Sequence, residues 1–296
     1  MFLRDEFLTY LKHIRAYKTV QIYSGAIERL DELLEIAGVE VESLPPNILD
    51  KFVLYLQDLD YKPRSIQTML SGVREYLKYV ERNSEGKISL KNIYNPKTPR
   101  IKPSYKNILS AEQMRQALST ADTTMSSSKS AYISVLACSG LRANEARLLL
   151  VENLSRAENG TIMIRVRSET EDGENAAKFG KERMVPMLSF GVDSLLAHLS
   201  SRRNQFSPYI FSSPRKTNGP ISHRSVFLWL EELSENFGMK IEPHTFRRSY
   251  LTLLHNSGVP DITVQKIAGH STLAQTSEYI KMDADALSKS VLDVKL

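Results

Sequence analysis

Apolar residues in the first hundred positions recur at helical spacing. Ile66, Leu70, Val73, Leu77 and Val80 form one stripe, and Ile48, Phe52, Leu56 and Leu59 form another. "SLPPNILD" reads as a helix entry with prolines ahead of it, and Pro63 in "YKPRSIQ" opens the next helix. No strand-like alternation occurs here, so residues 1–98 are expected to form an all-helical domain. Beyond residue 109 "LSAEQMRQAL" predicts a helix with Ser110 as its N-cap, and "KSAYISVLACSGLRANEARLLL" continues the helical region. "GTIMIRVRSE" and "KERMVPM" then alternate apolar and polar side chains around a polar, glycine-containing connection, which predicts a β-hairpin. Further helices are expected over 188–203, 222–237 and 244–256. A last short amphipathic helix is expected in "MDADALSKSVLDVKL", where Ala286, Leu287, Val291 and Leu292 are apolar. The fold class predicted is mainly α: a helical N-terminal domain, then a mostly α domain over 109–296 carrying a small antiparallel β-hairpin or sheet.

The segment "KNIYNPKTPRIKPSYKNI" interrupts this pattern with three prolines and five Lys or Arg and no acid. Proline stops regular structure, so residues 99–108 are read as a linker. Its cations, Lys97, Arg100, Lys102 and Lys106, either stand in water or lie along a phosphate backbone. A chain of 296 residues is comfortable for two domains, and its net charge of +5 is compatible with a polyanionic partner. No apolar run reaches the roughly 18 residues of a transmembrane helix, and acids close to the N-terminus argue against a signal peptide. The single cysteine, Cys138, lies in an apolar run and has no partner for an internal disulfide. A reducing, cytoplasmic location is the expectation.

One short stretch, "HTFRRSYLTLLHNSGVPDITVQKIAGHSTLAQTSEYIK", carries His244, Arg247, His270 and Tyr279. Breaking a phosphodiester needs a nucleophile, stabilisation of the non-bridging oxygens and a proton for the leaving oxygen. Arginines suit the second task because their planar forks match phosphate oxygens and stay charged. "SGLRANE" supplies Arg142 with Glu145 at i+3, a spacing that lets the acid hold the guanidinium if the turn is helical. Taken alone, that pair also reads as a surface ion pair, and His-x-x-Arg as two ordinary helix-surface residues. The histidines lack the close pairing or cysteine partners of a zinc site, so no metal is expected. There is no phosphate-binding glycine loop, no G-x-S-x-G elbow and no carboxylate cluster of the two-metal kind.

Together these residues resemble the tyrosine recombinases, the phage-integrase family, and in particular its compact Xer-type members. "SGLRANEARLL" is similar to the family's first arginine box, with Arg142 as its arginine and Glu145 as the supporting acid. "HTFRRS" through "IAGHS" is similar to the second, with Ala-Gly-His in place of Leu-Gly-His. Tyr279, nine residues after His270, has the separation used for the nucleophile. "AAKFGKERMVPM" matches the hairpin-lysine segment without its flanking glycines, which implies Lys178 as the family lysine, with Lys181 the alternative.

The resemblance implies a core-binding domain over 1–98, a catalytic domain over 109–296, and catalysis by Arg142, Lys178, His244, Arg247, His270 and Tyr279. It implies contact with DNA through the basic linker and no cofactor. The partner implied is double-stranded DNA at a short imperfect palindrome, bound by a dimer and synapsed by a tetramer through the C-terminal tail. The activity implied is site-specific recombination by way of a Holliday junction, in a Xer-like resolvase of chromosome dimers. A mobile-element integrase, a type IB topoisomerase-like enzyme and a purely DNA-binding relative are the alternatives.

Overall fold

The computed structural model describes residues 3–15, 17–99, 107–167, 182–215 and 219–269. The chain divides into two compact units, Met1–Ser104 and Tyr105–Leu296. Among the described residues there are eleven α-helices and one three-stranded antiparallel sheet, so the mainly α class holds. None of these helices is long and apolar enough to cross a membrane.

The first unit contains α1 (Arg4–Ile14), α2 (Tyr17–Ala37), α3 (Ile48–Asp58) and α4 (Pro63–Asn83). Pro63 sits in the first turn of α4, where its missing N–H would have had no helical partner anyway. Ile66, Leu70, Val73, Leu77 and Val80 are all buried, and they share one core with Ile27, Leu30 and Leu34 of α2. Gly72 lets the two helices approach, since a Cβ there would lie 2.8 Å from Tyr23 Cδ1. Leu59 departs from the predicted stripe: it stands past the end of α3 and is 43% exposed. Once the chain leaves the helix, helical periodicity no longer assigns it a face. The proline-containing segment stays on this unit as far as residue 99. The Tyr94 N–H donates to Pro46 O (2.9 Å), and Gln67 donates to Thr98 Oγ1 and Pro99 O. Lys97 is exposed there.

The second unit begins with α5 (Ala111–Thr124), capped as expected by Ser110. Its hydroxyl accepts from the Gln113 N–H (3.1 Å), and the Gln113 side chain accepts from the Ser110 N–H (2.9 Å). α6 (Ser127–Ser139) is the central helix, buried on every side from Ser130 to Ser139 and packed against α5 and α8 (Val192–Ser201). Burial pushes the Cys138 thiol up to about 12, so it is core filling and not a nucleophile. α7 (Ala143–Arg147), α9 (His223–Phe237), α10 (Pro243–Asn256) and α11 (Asp261–Ala268) complete the helices.

β2 (Ile162–Val166) and β3 (Arg183–Pro186) pair in the register Val166↔Arg183, which is the predicted hairpin. The sheet has a further strand, β1 (Leu154–Arg156), paired with β2 through a turn at Gly160, whose φ is 84°. Three residues, "LSR", are too few to show alternation, and they form a strand because β2 offers an edge. The helix expected from 188 starts at Val192. α11 had no separate expectation, since its eight residues follow α10 closely and are too short a window for a periodic stripe.

Candidate active site

Much of the site is built where elements end and turn. α6 stops at Gly140, whose left-handed φ of 61° turns the chain toward Arg142. Arg142 is the N-cap of α7 and Glu145 the third residue of that helix. Glu145 reaches back, accepting from the Arg142 backbone N–H (2.8 Å, Oε2) and from Arg142 Nη1 (2.8 Å, Oε1). The turn is helical, as the i,i+3 pairing requires. The surface-pair reading fails, because the Glu145 side chain is 1% exposed while that of Arg142 keeps 20%.

A buried carboxylate needs more than one partner, and the second is Arg183 at the start of β3. Its Nη1 donates to Glu145 Oε1 (3.1 Å) and its Nη2 to Oε2 (2.7 Å), a fork-to-fork pair. Burial alone would raise the Glu145 carboxyl. The charge and hydrogen bonds of Arg183, with the charges of Arg142 and Arg247 behind them, hold it below the usual carboxylate range. Glu145 is therefore ionised and its geometry fixed by four donors.

Arg183 was not among the residues expected from the sequence, yet it left a signal. In "KERMVPM" the buried positions are Val185 and Met187, and Met184 is exposed, so period two puts Arg183 on the inward side. An arginine facing a core has to find a buried acid there.

The second arginine box closes on the same place. Arg247, on α10, is 1% exposed; its Nη1 donates to Gly140 O (2.9 Å) and its Nη2 to Ala268 O. Arg183 Nε donates to Ile267 O (2.7 Å). A helix leaves its last four carbonyls without internal partners. For α11 all four are accounted for: Gln265 O and Lys266 O accept from the Gly269 N–H, and Ile267 O and Ala268 O from the two arginines. The left-handed Gly269 (φ 65°) then leads the chain on toward His270.

His244 is exposed in the first turn of α10, one turn before Arg247. Of the expected site residues, Arg142, Glu145, His244, Arg247 and the linker's Lys97 are therefore described, and Arg142, Glu145 and Arg247 are brought into one network. Lys178 and its alternative Lys181, His270 and Tyr279 lie outside the described residues, as do Arg100, Lys102, Lys106 and the C-terminal tail. Among the described residues no group of three or more His, Cys, Asp or Glu is placed to hold a metal ion.

A mostly α unit in which two arginine-bearing segments meet around one acid is what the comparison with known families bears on. Residues 107–285 match the phage integrase family, and residues 5–84 match its N-terminal SAM-like domain; the chain belongs to that family, the tyrosine recombinases, and is a site-specific recombinase. It is similar to the tyrosine recombinase XerA of Thermococcus kodakarensis, 26% identical over 293 residues that cover 99% of this chain and 95% of that one. It is also similar to XerC of Bacillus pumilus, 24% identical over 304 residues, covering 97% and 93%. Its fold is shared with the XerH recombinase bound to a palindromic difH substrate, at a TM-score of 0.73 and 19% identity over 93% of this chain and 79% of that one.

Proposed function

We propose that this enzyme cuts and rejoins duplex DNA through Tyr279. Arg142 and Arg247 would hold the scissile phosphate, with His270 as a further donor to it. The Tyr279 oxygen would attack phosphorus, forming a 3′-phosphotyrosyl bond and breaking the bond to the 5′-oxygen. A phenol of pKa about 10 needs help to lose its proton at neutral pH, and His244 would accept it. Lys178, or Lys181 in its place, would give a proton to the departing 5′-oxygen. The phosphotyrosyl ester conserves the energy of the broken bond, so attack by a 5′-hydroxyl from a partner strand rejoins DNA with no external energy source. Repeated on the second strand pair, this passes through a Holliday junction.

The observation that supports the reading is the joint anchoring of both arginine boxes. Arg247 is tied to Gly140, two residues before Arg142, while Glu145 fixes Arg142. Arginines held in this way are preorganised for an anion, and stabilisation of this kind needs no reorganisation as charge develops. The first unit would bind the core of the site, the basic residues 97–106 would lie along its backbone, and the C-terminal tail would dock on a neighbouring protomer. If Lys97, Arg100, Lys102 and Lys106 each touch a phosphate, replacing all four with Gln lowers the salt slope of DNA binding by roughly 3–4. An unchanged slope would remove them from the interface. The similarity to XerA and XerC favours resolution of chromosome dimers, in the cytoplasm, over integration of a mobile element.

The test is covalent capture. The protein is incubated with sheared DNA from its source organism, denatured in detergent, and the attached fragments are sequenced, with Tyr279→Phe in parallel. Fragments held only by the wild type and sharing one short imperfect palindrome are expected. A site near a replication terminus supports the resolvase, and one flanking a mobile element supports the integrase. Equal capture by Tyr279→Phe, or none by either protein, would overturn the reading.

A further inference from the structure

We propose that Arg183 is a positioning residue for strand transfer, fixing the Arg142–Glu145 pair and the end of α11 in one arrangement. The inference rests on the roles given above to Arg142 and His270.

Three features carry it. The Arg183 side chain is 7% exposed, and each of its three nitrogens is engaged, two on Glu145 and one on Ile267 O. Its fork is therefore tied to Glu145 and to the end of α11. The two groups it joins are far apart in sequence and both matter to the site: Glu145 sets the Arg142 guanidinium, and Ile267 O is in the last turn before Gly269 and His270. Finally, Gly269 lies directly on the Arg183 side chain. A Cβ at 269 would stand 3.1 Å from its Cδ and 3.2 Å from Nε and Nη1. The flat guanidinium is thus a floor for the turn at Gly269.

Arg247 anchors the neighbouring carbonyl, Ala268 O, to Gly140. The end of α11 is therefore referenced to the first arginine box at two points, before Arg142 through Gly140 and after it through Glu145. A lysine at 183 carries the charge but, as a single ammonium, cannot satisfy both carboxylate oxygens and Ile267 O together.

The test compares wild type, Arg183→Met, Arg183→Lys, Glu145→Gln and the Arg183→Met/Glu145→Gln double variant. Amide hydrogen exchange is followed at Gly269 and Arg142 without DNA. Covalent-complex formation is followed in single turnover at saturating duplex site recovered by capture. Arg183→Met is expected to speed exchange at Gly269 at least about tenfold and to slow covalent-complex formation about 100-fold, as a misplacement near 1 Å can. DNA affinity stays within about threefold, and Arg183→Lys recovers only a small part of the rate. The double variant loses less than the product of the two single losses, because both single variants break the Arg183–Glu145 contact, and its further loss beyond Glu145→Gln reports the hold on Ile267 O.

A rate and an exchange profile like the wild type's would overturn the proposal, as would fully additive losses in the double variant. A loss of affinity equal to the loss of rate would make Arg183 a phosphate ligand instead. Should Arg183→Met not fold, Arg183→Lys carries the same comparison. If the wild type forms no covalent complex with any fragment, the functional reading fails on its own, and Gly269 exchange alone decides whether Arg183 couples the two segments.

Discussion

Gly140 and Tyr250 are packed with no space between them: a Cβ on Gly140 would lie 2.4 Å from Tyr250 Cδ1. The same tyrosine donates its hydroxyl to Pro186 O (2.7 Å). One ring therefore joins the turn at the end of α6 that leads to Arg142, the body of α10 that carries Arg247, and the end of β3, the strand that carries Arg183.

Gly140→Ala should accordingly destabilise the protein by about 2–4 kcal/mol, from a side chain forced into the left-handed region and from overpacking against the ring. Chemical denaturation measures this, and a loss under about 0.5 kcal/mol would mean that Tyr250 moves aside freely. Covalent-complex formation should fall as well, since the Gly140 carbonyl anchors Arg247.

Arg142→Lys and Arg247→Lys should separate activity from stability. Each should slow cleavage about 10²–10³-fold, the usual cost of losing one preorganised donor to a developing charge. Arg142 keeps 20% of its side chain exposed, and a lysine there retains a cation beside Glu145, so its replacement should lower the melting temperature less than that of Arg247. Arg247 is buried and holds two backbone carbonyls, so its replacement should also lower stability by about 2–4 kcal/mol. Equal melting temperatures for the two variants would contradict the anchoring role.

How much of this site was legible in the sequence depends on what each residue needs to be recognised. Arg142, Glu145 and Arg247 sit in local patterns, and their spacing already put acid and base on one turn. Arg183 has no local partner, because Glu145 is reached only when β3 docks on α7. The strand alternation marked it as an inward charge, but not what it pairs with. That α11 ends on two arginine side chains was also invisible, since helix-end carbonyls are satisfied from elsewhere in the chain.

The acid dependence of stability should carry Glu145's signature. Its folded carboxyl lies below the unfolded value of about 4.3, so its ionised form contributes stability above that pH. The contribution is lost as pH falls through the folded value. Urea unfolding at a series of pH values should then show a steeper acid decline for wild type than for Glu145→Gln. Identical declines would mean that burial and the arginines cancel at this carboxyl, and a shallower decline for wild type that burial outweighs them.

Removing residues 283–296 tests the proposed role of the tail. Half-site binding by one protomer should change less than about threefold, while synapsis and recombination should fall at least about tenfold, as expected when a tail links protomers through effective concentration. Equal loss of binding and synapsis would make the tail a cap on its own unit.

The sequence by itself determined the helical stripes of the first unit, the Ser110 cap, the hairpin and the two arginine boxes. Each of these is written in neighbours a few residues apart, where periodicity and capping chemistry act. Tertiary structure decided what the boxes do to one another. A buried carboxylate becomes stable only when arginines arrive from α7 and β3, and the end of α11 is held only when β3 and α10 supply donors. Those pairings span as many as 107 residues, as between Arg247 and Gly140, and no local pattern constrains contacts at that separation. They follow from the packing of α6, α10 and the sheet into one core, which brings unpaired polar groups together in a place without water to satisfy them.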